Sequence, residues 1–286
     1  MVLESLINPL SAENKPFNLF VLGFIYASVG SFLGLLIFPS EASIVMIALV
    51  VLASVPLIMG VISTEEQKDV SDFHEVVLLK EHSKALSAFM FLFLGITIAV
   101  ALWYVVLPSE TVSTMFDSQI ATISGMSHAV SSDMTANVTS IESFTNIFLN
   151  NMTVLIFCIL FSFLYGAGAI FILTWNASVI GVAIGNFIRT NLTTIAQYVG
   201  VEKFTQYFSI ISIGLFKYAI HGIPEILAYF TAGLAGGIIS IAVIRHDFQG
   251  KKFEHIVLDS ADLLLLSIIL LFFAAILEVW ITPMIF

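Results

Sequence analysis

The chain has 286 residues, of which 59% are hydrophobic and only 10% charged, with a mean hydropathy of +1.04. An average soluble domain carries about 25% charged residues, so a water-exposed globule is excluded for want of polar surface to cover its core. The net charge of −10 and the lack of a basic stripe argue against nucleic-acid binding, which needs clustered cations to neutralise phosphates.

The apolar residues come in continuous blocks rich in Leu, Ile, Phe and Ala, with no alternation at period two. A helix needs about 20 such residues to cross a bilayer, and only helices and closed barrels satisfy their backbone groups in lipid. The pattern predicts an all-α polytopic transmembrane helix bundle with about seven crossings. The residues before the first block carry Glu4, Glu13 and Lys15 and show neither a basic n-region nor a small-residue cleavage site, so that block is expected to be a retained span.

The first span is predicted at 17–38, closed by Pro39, and the second at 43–62 after a tight turn. Residues 63–84 are polar, but Val70, Phe73, Val77 and Lys80 share one helical face, which predicts an amphipathic helix feeding the third span at 85–107. Trp103 and Tyr104 form an interfacial belt at the end of that span, before Pro108. Residues 108–146 contain no Lys or Arg. Within them Phe116, Ile120, Ile123, Met126, Val130, Met134, Val138, Ile141 and Phe144 recur at steps of three and four, which predicts a long amphipathic helix over 110–146 outside the membrane. It is expected to pack over its own spans; lying on the lipid surface or pairing with a second copy are the alternatives.

The fourth span is predicted at 147–173. The apolar stretch 176–188 is short for a crossing and reads as a re-entrant or buried half-helix. A polar patch at 189–206 leads to a fifth span at 207–220, which His221, Gly222, Ile223 and Pro224 break. A sixth span follows at 225–244 and the last at 262–281. Lys68, Lys80, Lys84, Arg245, Lys251 and Lys252 fall in two loops, so the positive-inside rule puts those loops and the N-terminus in the cytoplasm and 108–146 outside, in a multi-pass protein of the cell membrane.

Ionisable residues among these blocks are the candidate functional groups, because each costs about 3 kcal/mol or more at the centre of a bilayer. Lys217, His221 and Glu225 are spaced i, i+4, i+8, close to one helical face. They read either as an ion or proton path or as a polar clamp that holds the broken helix against the Asn176 segment. Asn150, Asn151 and Asn176 are expected to hydrogen-bond across helices. Glu278 is expected to reach the interface. Small residues spaced by four (Gly30 with Gly34, Gly181 with Gly185, Gly233 with Gly237) predict close helix packing, with a dimer face as a second use of the first pair. Cys158 reads as a small core residue. His74, His82, His246 and His255 match no metal-ligand spacing and are expected to be solvated, so no metal and no cofactor is predicted. Asn137 heads a glycosylation sequon on the predicted outer side.

A more specific pattern begins in the fourth span. Asn150 and Asn151 are followed by Gly166 and Gly168, then Asn176 and Gly181, then His221, Gly222 and Glu225, and finally Ala232, Gly233, Ala235 and Gly236. This ordered set, over about 145–245, resembles the stage II sporulation protein M (SpoIIM) family of integral membrane proteins. The resemblance divides the chain into an N-terminal hairpin with its cytoplasmic amphipathic segment (1–84) and a SpoIIM-like membrane core (85–286). It adds Gly166, Gly168 and Gly222 to the helix-packing glycines. It implies a non-enzymatic scaffold that organises membrane or envelope partners among the membrane lipids, with self-association open. A secondary transporter or channel built on the broken helices at Asn176 and His221–Glu225 is the alternative. An intramembrane enzyme with His221 and Glu225 as its acid/base pair is a third reading.

Overall fold

A computed structural model describes residues 15–70, 75–133, 140–165, 168–197, 200–244 and 251–285. Among them there is no strand, and seven helices are long and apolar enough to cross a membrane.

Helix α1 (Pro16–Ile37) starts with proline in its first turn, where the missing N–H costs nothing, and stops ahead of Pro39. A 3₁₀ turn (Pro39–Glu41) reverses the chain into α2 (Ala42–Val70). Helix α3 (Glu75–Val106) follows. The polar stretch 63–84 is divided: its first part prolongs α2, and from Glu75 it is helical and runs into the third span without a break, as expected. The side chains of Val70, Phe73, Val77 and Lys80 lie outside the described residues.

The 110–146 segment is not one helix. Helix α4 (Ser109–Met115) ends at Phe116, whose φ of −124° turns the chain into α5 (Asp117–Asp133). The far end of the apolar stripe belongs to the next membrane helix, α6 (Ser140–Tyr165), where Phe144 packs on Phe272 and Trp280. The near end is buried in the protein. Met115, Phe116 and Gln119 are fully enclosed, and the Phe116 ring lies 6.1 Å from that of Tyr104. The bend is held to α2 by Ser43, which accepts the Ser118 N–H at 3.2 Å and donates its hydroxyl to the Met115 carbonyl at 3.2 Å. Gln119 donates to Ser178 Oγ at 3.1 Å. The α4–α5 hairpin is thus inserted among α2, α3 and the following helix, α7 (Ala169–Leu192). Side chains of 126–139, including Asn137, lie outside the described residues.

Two helix boundaries differ from the sequence reading, and they offset each other. The fourth span does not run on to 173: it stops at Tyr165, and Gly168 caps α7 by its close approach to the Phe161 carbonyl. Residues 176–188, expected as a half-helix, are the middle of α7, a full-length span. In turn, the break expected at 221–224 is absent. Helix α8 (Gly200–Ile244) runs through Pro224 as a single 45-residue helix. A proline removes one backbone hydrogen bond, and in membrane helices neighbouring groups re-satisfy the freed carbonyl. The chain ends in α9 (Lys251–Ile276), one π-helical turn (Leu277–Ile281) and the short α10 (Thr282–Ile285).

The C-terminal half of α8 and most of α3 are enclosed, while α1, α6 and α9 present much of their apolar surface outward. Helix α1 runs alongside α3, α3 alongside α7, and α8 packs on α6 and α9. Glycines set the closest of these contacts. Gly30 and Gly34 lie on the α2 backbone at Met46 and Ala42, so that pair is used inside the chain. Gly181 and Gly185 fit against Val100 and Tyr104 of α3, and Gly233 against Ala169. Gly237 is buried beside it, and Gly236 meets the Ile159 carbonyl of α6. Gly166 lies outside the described residues.

At one end of the bundle Arg189 caps α3, donating to the carbonyls of Tyr104 at 3.0 Å and Leu107 at 3.1 Å and to Ser109 Oγ at 2.8 Å. This satisfies acceptors that a helix C-terminus leaves open. At the opposite end His82 Nδ1 meets Glu65 Oε2 at 2.6 Å, tying α3 to α2. His82 is not a solvated loop residue but is buried, as are Glu65 and Glu66. His255 is exposed, as expected, and His74 and His246 lie outside the described residues.

Candidate functional site

A group of ionisable side chains lies where the middle of α8 meets the segment that follows α9. Glu225 and Tyr229 are one helical turn apart on α8, and the Tyr229 hydroxyl donates to Glu225 Oε1 at 2.8 Å. Tyr229 is among the largest fully buried side chains of the protein. One turn earlier on α8, His221 Nδ1 lies 3.3 Å from Thr282 Oγ1. The Thr282 hydroxyl proton is already donated to the Leu277 carbonyl at 2.9 Å, so it is His221 Nδ1–H that donates to the threonine oxygen. Glu278 sits half-buried on the π-helical turn, which packs against α8. Cys158 of α6 is fully buried on the Tyr229 side of the cluster.

The turn itself has a local cause. Pro283 lies two residues past its end, and a proline ring cannot coexist with a regular hydrogen bond to the carbonyl four residues back. The helix widens ahead of the proline, and the Thr282 N–H reaches Leu277 O. Single π turns recur at functional sites because they re-aim a side chain without ending the helix. Here the turn presents Glu278 and Thr282 to α8.

Not every sequence-derived residue joins this cluster. Lys217 Nζ sits 5.5 Å from the centroid of the Phe187 ring on α7, a cation–π contact directed away from Glu225. Eight residues along an α-helix leave a side chain about 80° around the axis, which is enough to move Lys217 onto the neighbouring face. Asn176 is half-buried on α7. Asn151 is buried on α6, and Asn150 Nδ2 donates to Asn151 Oδ1 at 3.4 Å, so this pair bonds within its own helix instead of across helices. Gly222 does not pack: a Cβ built there meets nothing within 4 Å.

Tyr229 and Thr282 are the members that sequence reasoning missed. Tyr229 carries the same i, i+4 signal from Glu225 that singled out His221, and Pro283 was the sign that the helix around Glu278 is irregular. Among the described residues no three of His, Cys, Asp and Glu converge in a metal-binding geometry. The arrangement offers two carboxylates, an imidazole and a phenol, groups that can exchange protons over short distances or lock α8 to α9. Tyr229→Phe is expected to lower the unfolding free energy by about 1–3 kcal/mol, because the buried carboxylate loses its donor. Chemical unfolding of the detergent-solubilised protein measures this, and an unchanged midpoint would remove the bond from any account of stability.

Comparison with known proteins bears on residues beyond this cluster. The family model described as Stage II sporulation protein M matches residues 87–283, a stretch that takes in 110–146 and leaves α1 and α2 outside. No curated protein matches the chain, and no solved structure does. With most of its length matched, from within α3 to the end of α9 and beyond, this multi-pass helical membrane protein belongs to the SpoIIM family.

Proposed function

We propose that the chain is an integral membrane scaffold of the cell envelope that holds membrane or envelope partners, with no catalytic role of its own. The observation that carries this reading is the free end of α8. Gly233 packs on Ala169 at the start of α7, and Gly214 packs on Phe187 and Ile188 near its end. Residues 200–209 therefore continue past α7, whose end Ile210 still packs against. A helix of 45 residues is about 67 Å long, against a hydrocarbon core of about 30 Å. On the projecting part Val201, Phe204 and Phe208 are 83%, 73% and 69% exposed and share one face with Ile211, while Glu202, Thr205, Gln206 and Ser209 occupy the other. An apolar stripe that its own chain leaves open is how an amphipathic helix engages a partner.

Charge supports an orientation for this end. Of the ten cations, Lys15 precedes the first span, Lys68, Lys80, Lys84, Lys251 and Lys252 belong to helix segments at or beyond the His82 end, and Arg245 directly follows α8 in sequence, whereas Arg189 and Lys203 lie at the other end and Lys217 within α8. The positive-inside rule then puts the His82 end in the cytoplasm and the projecting end of α8 outside, together with 108–139. A photo-crosslinking amino acid at Phe204 or Phe208, in native membranes, is expected to capture the same protein from both positions and not from Leu258 on α9. Failure to find a protein shared by the two positions and missing from the third would end the scaffold reading.

The cluster at Glu225 favours one alternative, a proton- or ion-coupled transporter. In that case Glu225→Gln keeps the fold but abolishes solute or proton flux in proteoliposomes. Unaltered flux, or no flux in the parent protein, would leave the cluster as a clamp between α8 and α9.

A further inference from the structure

A groove of about 540 Å³ opens between α3, α7 and α8, with Phe20 of α1 at its edge. Met90 and Leu94 of α3, Ile184 of α7, and Tyr218, Gly222 and Ile226 of α8 line it. Its volume falls in the range of about 300–1,000 Å³ typical of small-molecule sites. It lies between the two places where α8 touches α7 through glycine, Gly214 and Gly233. No charged side chain lines it, and the Thr97 hydroxyl on its wall is spent on the Phe93 carbonyl at 3.0 Å. Apart from the Tyr218 phenol, the lining that the described residues give it is apolar.

The floor of the groove is kept low by a residue with no packing reason to be small. Gly222 lies inside a helix, where glycine is among the poorest choices. A Cβ at Gly222 would meet only open space, whereas Gly181, Gly185, Gly214 and Gly233 each lie against a neighbouring helix. Ala219 continues the same floor.

Depth and length identify the occupant. The walls come from the centres of two spans, His82–Val106 and Ala169–Ile195, so the solvent at the groove's open side is hydrocarbon. Its lining on α8 runs from Leu215 to Ile226, a rise of about 16 Å. That is roughly half of the ~30 Å hydrocarbon core, the reach of one leaflet. Leu215 adjoins Gly214, which is level with Ile188 near the end of α7, so one end of the groove lies near the boundary where headgroups sit. We infer that this groove is a binding site for one acyl chain of a phospholipid in the leaflet at the Arg189 end. Since lipid tails are as apolar as the lining, selectivity comes from close packing and not from hydrophobic transfer.

The test uses the full chain in phosphatidylethanolamine–phosphatidylglycerol vesicles with a trace of a phosphatidylcholine whose acyl chain carries a diazirine. After irradiation, mass spectrometry of peptides is expected to find labelling around Met90, Leu94 and Tyr218 at least fivefold above that on the open face of α9 at Leu265 and Phe273. Gly222→Leu is expected to remove most of this excess and leave the α9 labelling unchanged. Ala219→Leu, which raises the same floor one turn away, is expected to do the same and serves where the first variant fails to fold. Labelling in the groove no greater than on α9, or an excess that survives either substitution in folded protein, overturns the inference. So does equal labelling by a free diazirine fatty acid at the same trace level.

Discussion

Glu65→Ala is expected to destabilise the protein by about 1–3 kcal/mol, the cost of removing one partner of a buried hydrogen bond. Glu65 and His82 are 0% and 2% exposed, and their 2.6 Å contact joins α2 to α3 at the end of the bundle away from Arg189. Each side chain is enclosed, so neither can recover its solvation when the other is removed. His82→Ala is expected to cost a similar amount. The double variant should cost clearly less than the two together, because the second removal also deletes the stranded group. Unfolding of the four proteins in one detergent gives the cycle directly. Single variants that each lose less than about 1 kcal/mol would place this pair with surface ion pairs, and α2 and α3 would then have to be held by their apolar contacts alone. The outcome also bears on the family's extent, since α2 lies outside the matched residues and α3 for the most part within them.

This pair shows where sequence reading stops. Composition and block length were sufficient for a helical membrane bundle, and the spans at α1 and α3 were legible to within a turn on the membrane side, because proline and interfacial aromatics mark their ends. Hydropathy averages over a window, however, and a window containing Glu65, Glu66 and His82 looks like a solvated loop. Nothing local says that residues seventeen apart meet inside the protein. The same limitation produced the two misplaced boundaries. Pro224 looked like a break and Gly168 like helix, although the reverse holds. A proline removes one hydrogen bond that a buried helix can replace, whereas the missing Cβ of Gly168 lets the chain close on the Phe161 carbonyl. Whether either is tolerated depends on neighbours distant in sequence. For the candidate site, ionisable groups on α8 could be picked out because charge in lipid is costly wherever it occurs. The partner beyond α9 could not, since the pairing of His221 with Thr282 spans 61 residues.

Gly95→Leu is expected to have the other large effect. Gly95 of α3 and Gly23 of α1 face each other across a reciprocal contact: a Cβ at Gly95 would run into the Phe20 carbonyl, and one at Gly23 into the Leu92 carbonyl. Ala27 and Ala99, one turn beyond each, are 1% and 0% exposed, so the small-residue stripe continues on both helices. Searching for glycine pairs alone passes over it, because each helix pairs a glycine with an alanine. The obstruction is backbone, which cannot swing aside as a flexible side chain does, so α1 must separate from α3 along its length. Overpacking costs about 1–3 kcal/mol in well-packed cores, and an unyielding contact belongs at the top of that range. The bond from Trp103 Nε1 to Ser28 Oγ, 2.9 Å in the parent, should be lost as the helices part, along with the edge contact between Phe32 and Trp103. Trp103 fluorescence reads this separation locally, and the unfolding midpoint reads it globally. Gly95→Ala should give a weaker form of the same change. If Gly95→Leu left both signals unaltered, α1 would not be bound to α3 in the way the structure shows, and the position of the N-terminal hairpin against the family core would need to be rebuilt from other contacts.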